Sequence, residues 1–279
     1  MPKIELDEKR VEELKQKIEK SKEIFKMAYD RFDPEEMRLI WSGGKDSTLT
    51  LWICRQFCQE NDLPLPKAFT IDEGDAFEEI EEFLETYSNE WGVELDWGRN
   101  EDVLKAAGYE LGADVVVADL NERNQAEIER IGFDLERFPF EAESYVGNHL
   151  MKTVVFNTYL EDSNVKVVFQ GIRWDEQEAR AEDEYCEEVE AEEFVPAHTR
   201  YRPILHFTER DIWDTTLYFD IPYCPLYEEG YRSLGAKSTS RKLTDIPAWE
   251  QDLENTVERA GRRQDKEKTM ARLRMLGYM

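Results

Sequence analysis

The stretch that most constrains this 279-residue chain is Trp41-Ser42-Gly43-Gly44-Lys45-Asp46-Ser47. The short apolar run Met37-Arg38-Leu39-Ile40 precedes it, and Ser47-Thr48-Leu49-Thr50-Leu51-Trp52-Ile53 follows. This pattern predicts a strand, a tight loop and a helix. Two adjacent glycines let the backbone fold close to a guest without Cβ obstruction. The N–H groups and dipole at the helix start favour an anion there. Lys45 adds a mobile positive charge, and Ser42 and Ser47 add hydroxyl donors, so the expected guest is a phosphate group. An ordinary strand-to-helix turn is the plain alternative. The common P-loop is excluded, because Leu39 and Asp46 stand where that motif needs Gly and Ser or Thr.

Charge narrows the partners. Acidic residues number 63 against 36 basic, a formal charge of −27. General nucleic-acid or membrane-surface binding needs a basic face and is disfavoured. Such a surface suits high salt, where screening relieves self-repulsion. Cys54, Cys58, Cys186 and Cys224 show no paired metal spacing. Cys54 and Cys58 fall on one face of a helix and are expected to be buried free thiols in a reducing compartment. No apolar signal core and no run of membrane-spanning length is present, so a cytoplasmic location is expected.

Three parts are expected: a helical arm over 1–33, an α/β core over 34–220, and a loop-and-helix tail over 221–279. Ile4, Leu6, Val11, Leu14, Ile18, Ile24, Phe25 and Met27 give the first part an amphipathic helical pattern. Either packing on the core or binding a partner would satisfy it. Strands are expected at Lys67–Ile71, Val93–Trp97, Asp114–Ala118 and Val165–Gln170, and a helix over Asn148–Leu160. Asp72 ends the second strand, where ligands of doubly wound sheets gather, and it is equally a helix N-cap candidate. Residues 121–146 carry no clear motif.

Gly171-Ile172-Arg173 follows a buried strand and fits a phosphate clamp, since a guanidinium bonds two anionic oxygens at once. Asp175 or Glu176 is placed to orient Arg173 or to help hold a metal ion. A solvated charged turn is the alternative. The acidic run 182–193 is expected to be a mobile surface loop, because dense like charges repel. His198, Arg200 and Arg202 alternate along the next strand and share one face, where a sulfate or phosphate contact is one reading. Thr208 is a helix-cap candidate with Asp211 three residues on. Arg259, Arg262 and Arg263 form the densest basic cluster, either as surface counter-charge or near a nucleotide.

Ser-Gly-Gly-Lys-Asp-Ser resembles the pyrophosphate-binding loop of the ATP pyrophosphatases, enzymes that split ATP between its α- and β-phosphates. With Ile71-Asp72-Glu73-Gly74, Gly171 to Arg180, Pro203-Ile204-Leu205, Asp211-Ile212-Trp213, Ile221-Pro222, Pro225-Leu226-Tyr227 and Gly230 to Gly235, it covers roughly residues 36–279. The whole resembles the family joining phosphoadenylyl-sulfate reductases with the small subunit of two-subunit sulfate adenylyltransferase. Glu73 departs from the Thr usual there. The resemblance implies a Rossmann-like, doubly wound, mostly parallel α/β sheet of the adenine nucleotide α-hydrolase type. It implies ATP with Mg2+ as cofactors and Lys45 and Arg173 as catalytic residues. Nucleotide binding would fall to Ser42, Gly43, Gly44, Asp46, Ser47, Asp72, Gly171, Asp175, Arg180, Arg232 and Arg262. The ligands of the metal are not readable from the sequence. Sulfate is the implied oxyanion, a GTPase subunit a partner, and a homo-oligomer a further expectation.

Two activities share that family. Reductases of this type use a Cys near the C-terminus, and here no Cys follows Cys224. Reductase chemistry would need Cys186 or Cys224 as substitute nucleophile. The tail Glu258-Arg259-Ala260-Gly261-Arg262 with terminal Gly277-Tyr278-Met279 resembles the adenylyltransferase subunit instead, although the insertion usual after Pro-Leu-Tyr is missing. Adenylyl transfer is therefore the expected function, with the reductase as alternative.

Overall fold

The computed structural model describes residues 4–261 apart from 143, 178 and 179. The strands are β1 (Met37–Ile40), β2 (Lys67–Asp72), β3 (Leu95–Arg99), β4 (Asp114–Val116), β5 (Arg137–Pro139), β6 (Val167–Phe169), β7 (Cys186–Val189) and β8 (His198–Tyr201). Six of them form one sheet in the order β3-β2-β1-β6-β8-β7. Every neighbouring pair is parallel except β7 with β8. This is the doubly wound α/β class expected from the sequence. The chain winds outward from β1 through β2 to β3, then returns to lay β6 on the other side of β1. A crevice opens at such a reversal, beyond the carboxyl ends of the strands.

Helices α1 (Glu8–Tyr29), α2 (Lys45–Asn61), α3 (Glu78–Trp91), α4 (Glu101–Ala106), α5 (Glu122–Arg130), α6 (Tyr145–Asn148), α7 (Val155–Ser163) and α8 (Glu209–Tyr218) complete the regular structure, with a π-turn over His149–Val154 before α7. In α1 the Asp7 side chain accepts from the Arg10 amide, and Leu14, Ile18, Ile24, Phe25 and Ala28 bury one stripe. Arg10 lies 2.7 Å from Asp211, and Lys17 lies 2.6 Å from the same carboxylate. The N-terminal helix therefore packs on the core instead of projecting from it. Thr208 caps α8 as expected, and its N–H in turn donates to Asp211, closing a capping box.

Two elements differ from expectation. Asp114–Val116 is a strand, but it pairs antiparallel with β5 in a separate two-stranded sheet. That sheet sits over its own core of Val103, Leu104, Val115, Phe138, Phe140 and Leu150. The acidic run 182–193, expected as a mobile loop, contains β7 on the sheet edge. Its cross-strand register explains the difference, because Glu187 lies opposite Arg200. Arg202 also bonds Glu187. Opposite charges across a strand pair offset the repulsion along the run.

Candidate functional site

The loop after β1 is held from inside. Trp41 is fully buried, and its indole N–H donates to Thr48 Oγ1 at 3.0 Å, tying strand to helix. Gly43 has φ +73°, and a Cβ there would approach Ile80 Cγ2 at 2.9 Å. The position is left-handed and crowded, so glycine is required twice over. The Ser42 amide donates to Ser47 Oγ at 3.3 Å, with the two hydroxyls 3.3 Å apart. Tyr227 supplies its hydroxyl as acceptor for the Lys45 amide, filling one of the open donors at the start of α2. Gly171, past the end of β6, presses on the same turn: a Cβ there would stand 2.7 Å from Thr50 Oγ1 and 2.8 Å from Ser47 Cα.

A cavity of about 280 Å³ opens where the strand order reverses. Ser42, Ser47, Gln170 and Gly171 line one side of it, and Arg180, Arg200 and Arg202 another. Its position is the one a doubly wound sheet reserves for a ligand.

Behind the loop lies a buried charge cluster. Lys45 Nζ is 2.5 Å from Glu258 Oε1, 3.3 Å from Asp46 and 3.8 Å from Glu209. Arg173 is fully buried; it bonds Asp46, donates from Nε to Asp175 at 2.8 Å and reaches Glu258 at 2.5 Å. Arg232 meets Glu209 at 2.7 Å. Burial opposes the Lys45 charge, yet Asp46, Glu258 and Glu209 together outweigh it and hold its pKa above the ordinary value. Burial likewise works against the Glu258 carboxylate, but Arg173 and Lys45 keep it well below the usual carboxylate range. Asp46 goes the other way: burial raises it despite Arg173 and Lys45.

The expected site residues are therefore divided. Ser42, Ser47, Gly171 and Arg180 meet at the cavity. Lys45, Asp46 and Arg173 lie in the cluster, and Asp175 orients Arg173 while its other oxygen accepts from the Glu209 amide at 2.8 Å. Arg232 is placed under the C-terminal segment, bonded to Glu209 and Thr256. Asp72 is turned from the cavity: it accepts from the Gly74 amide and pairs with Arg99, and the N-cap of α3 is Phe77. Arg262 and Arg263 fall outside the described residues. Sequence reasoning missed Glu258, Tyr227, Gln170 and Glu187. Only the Glu-Arg-Ala-Gly stretch offered a signal for the first. Among the described residues, no group of three His, Cys, Asp or Glu is disposed to hold a metal ion.

The fold places the chain in the adenine nucleotide α-hydrolase-like class. A phosphoadenosine phosphosulfate reductase domain matches residues 36–242, and the chain belongs to that family of enzymes. It is 33% identical to phosphoadenosine 5'-phosphosulfate reductase of Xylella fastidiosa over 98 residues, which span 34% of this chain and 38% of the relative. With sulfate adenylyltransferase subunit 2 of Brucella anthropi it shares 26% identity over 217 residues, 70% of this chain and 60% of the relative. Among solved structures, Candida glabrata FMN adenylyltransferase with FAD and inorganic pyrophosphate superposes with a TM-score of 0.61 at 20% identity, covering 95% of this chain and 80% of that one. Phosphoadenylyl-sulfate reductase of Candida auris, in a phosphate complex, gives 0.55 at 13% identity, covering 86% and 100%. At these identities the structural likeness speaks for the fold.

Proposed function

We propose that this chain is an ATP-dependent adenylyltransferase: an oxyanion attacks the α-phosphate of ATP and pyrophosphate leaves. The observation that carries the reading is the cavity at the strand reversal. Hydroxyls of the Ser42–Ser47 loop and three guanidiniums line it, and none of the four thiols does. Positioning and charge stabilisation carry reactions of this class, with little covalent help from the protein. Gly43 and Gly44 let the backbone close on the leaving pyrophosphate. Its negative charge takes the place of the Glu258 carboxylate beside Lys45 and Arg173. Mg2+ arrives with ATP as part of the substrate.

Sulfate is the first acceptor to try, because the Brucella relative is named for it; that name also makes a partner subunit part of the proposal. FMN, the acceptor named for the solved neighbours, offers the same chemistry through a phosphate monoester. A sulfonucleotide reductase is the second reading, favoured by the Xylella relative. Its thiols are poorly disposed for it. Cys54, Cys58 and Cys224 are buried, and burial pushes the Cys224 thiol up to about 11. Cys186 is adjacent to Glu187 on β7, so its side chain points to the opposite face of the sheet from the cavity. The test supplies ATP labelled in its α-phosphate together with sulfate or FMN. Label in the acceptor is expected; sulfite release from phosphoadenylyl sulfate and a thiol donor, with no label transferred, would overturn the reading.

A further inference from the structure

Three strands lie side by side at the crevice: β1, β6 and β8. Neighbouring strands are spaced about 4.8 Å apart, so β8 lies roughly 10 Å from β1. In phosphoryl-type transfer the attacking and leaving oxygens stand roughly in line on either side of phosphorus. With pyrophosphate in the loop after β1 and the α-phosphate over Gly171 at the end of β6, the attacking group comes from the side of β8. Arg200 on β8 and Arg202 just beyond it line the cavity there.

We infer that Arg200 and Arg202 form the seat of the attacking oxyanion, a sulfate or phosphate-monoester group; this rests on the adenylyl-transfer reading. Both residues are buried, at 8% and 5% exposure. Arg202 is held by its backbone N–H on Tyr185 O at 2.9 Å, by Nη1 on Glu184 O at 3.0 Å, and by Nη2 on Glu187. Its Nε is buried with no hydrogen-bond partner among the described residues. Arg200 is steadied through Nε, which donates to His198 Nε2 at 3.1 Å. The imidazole in turn donates from Nδ1 to Pro196 O at 2.8 Å. Asp183 and Glu187 are the carboxylates on the lining beside Arg180, Arg200 and Arg202, and Arg180 is paired with Glu176. In the transfer, an acceptor oxygen forms a bond to the α-phosphorus. The bond from that phosphorus to the bridging oxygen breaks, and the electron pair leaves on pyrophosphate. The dianionic acceptor brings no proton to remove.

The test uses the full chain, its Arg202→Gln and Arg200→Gln variants, and Arg202→Lys, which keeps charge but loses the planar fork. Calorimetry measures binding of the non-cleavable ATP analogue AMPCPP alone, then of inorganic sulfate and of FMN to the AMPCPP-loaded protein. In the parent, one of the two acceptors is expected to bind. Each Gln variant is expected to weaken that binding at least tenfold, with partial recovery in Arg202→Lys and AMPCPP affinity within twofold. Which arm binds distinguishes inorganic sulfate from a phosphate monoester. Absence of binding in the parent, or Gln variants that bind the acceptor normally, would overturn the seat. So would a tenfold loss of AMPCPP affinity with acceptor binding intact. A separate pyrophosphate assay of the parent judges the transfer reading: acceptor binding that depends on both arginines, without turnover, would sink adenylyl transfer and leave the anion seat standing.

Discussion

The two sides of the Ser42–Ser47 loop handle charge in opposite ways. Toward the crevice, hydroxyls and guanidiniums line open space. Toward the interior, Lys45 and Arg173 are closed in and matched by Asp46, Asp175 and Glu258. A buried cation without a partner is costly, so Lys45 needs an anion beside it in the interior. Glu258 fills that place, brought by the C-terminal segment. On the proposed reading, the open side receives an anion and the closed side exchanges one.

That contrast can be broken most forcefully at Arg173. Arg173→Ala strands Asp46 and Glu258 in the interior and is expected to lower unfolding stability by about 3–5 kcal/mol, read by chemical denaturation. A loss below ~1 kcal/mol would mean that the cluster is not a matched buried network. Lys45→Ala should cut ATP-dependent turnover by about 10²–10³, the usual loss for a donor on developing charge. Near-normal turnover would remove the closed side from the chemistry. Glu258→Gln withdraws the resident anion, and ATP should bind about tenfold tighter, the scale of one charge-assisted hydrogen bond. Equal or weaker binding in calorimetry would make Glu258 a purely structural group.

On the open side the expected effects are smaller. Burial lowers the His198 pKa to about 4, with the neighbouring Arg200 acting in the same sense against the Pro196 carbonyl and Glu187. A folded value below the unfolded one gives stability that is present above the ordinary imidazole range and lost as pH falls toward about 4. The His198 ring resonances should therefore hold steady from pH 8 to 5; a midpoint near 6.5 would show that the ring is not buried beside Arg200 in solution. Cys186→Ala and Cys224→Ala should leave adenylyl transfer within about twofold. Loss of a sulfite-releasing activity in either variant would favour the reductase.

The same contrast shows what was readable beforehand. The loop could be read because its signal is local: a glycine pair between an apolar run and a helical one. The Thr208 cap was local too, three residues from Asp211. Glu258 could not be found in that way, since 213 positions separate it from Lys45 and no periodicity links them. β7 was hidden because repulsion within an acidic run is visible in the sequence, while the basic strand that offsets it depends on the sheet register. The strand expected over Asp114–Ala118 is present as Asp114–Val116, but so short a run does not specify which sheet it joins. Asp72 stood at the right strand end, and Arg99 on the neighbouring strand then engaged it.

Pyrophosphate release from Mg-ATP tests the central claim most directly, using the full chain at high salt with and without sulfate or FMN. Release that depends on one of these acceptors, one pyrophosphate for each adenylylated product, is the expected result. Release indifferent to both, or none at all while phosphoadenylyl sulfate and a thiol donor yield sulfite, would contradict it.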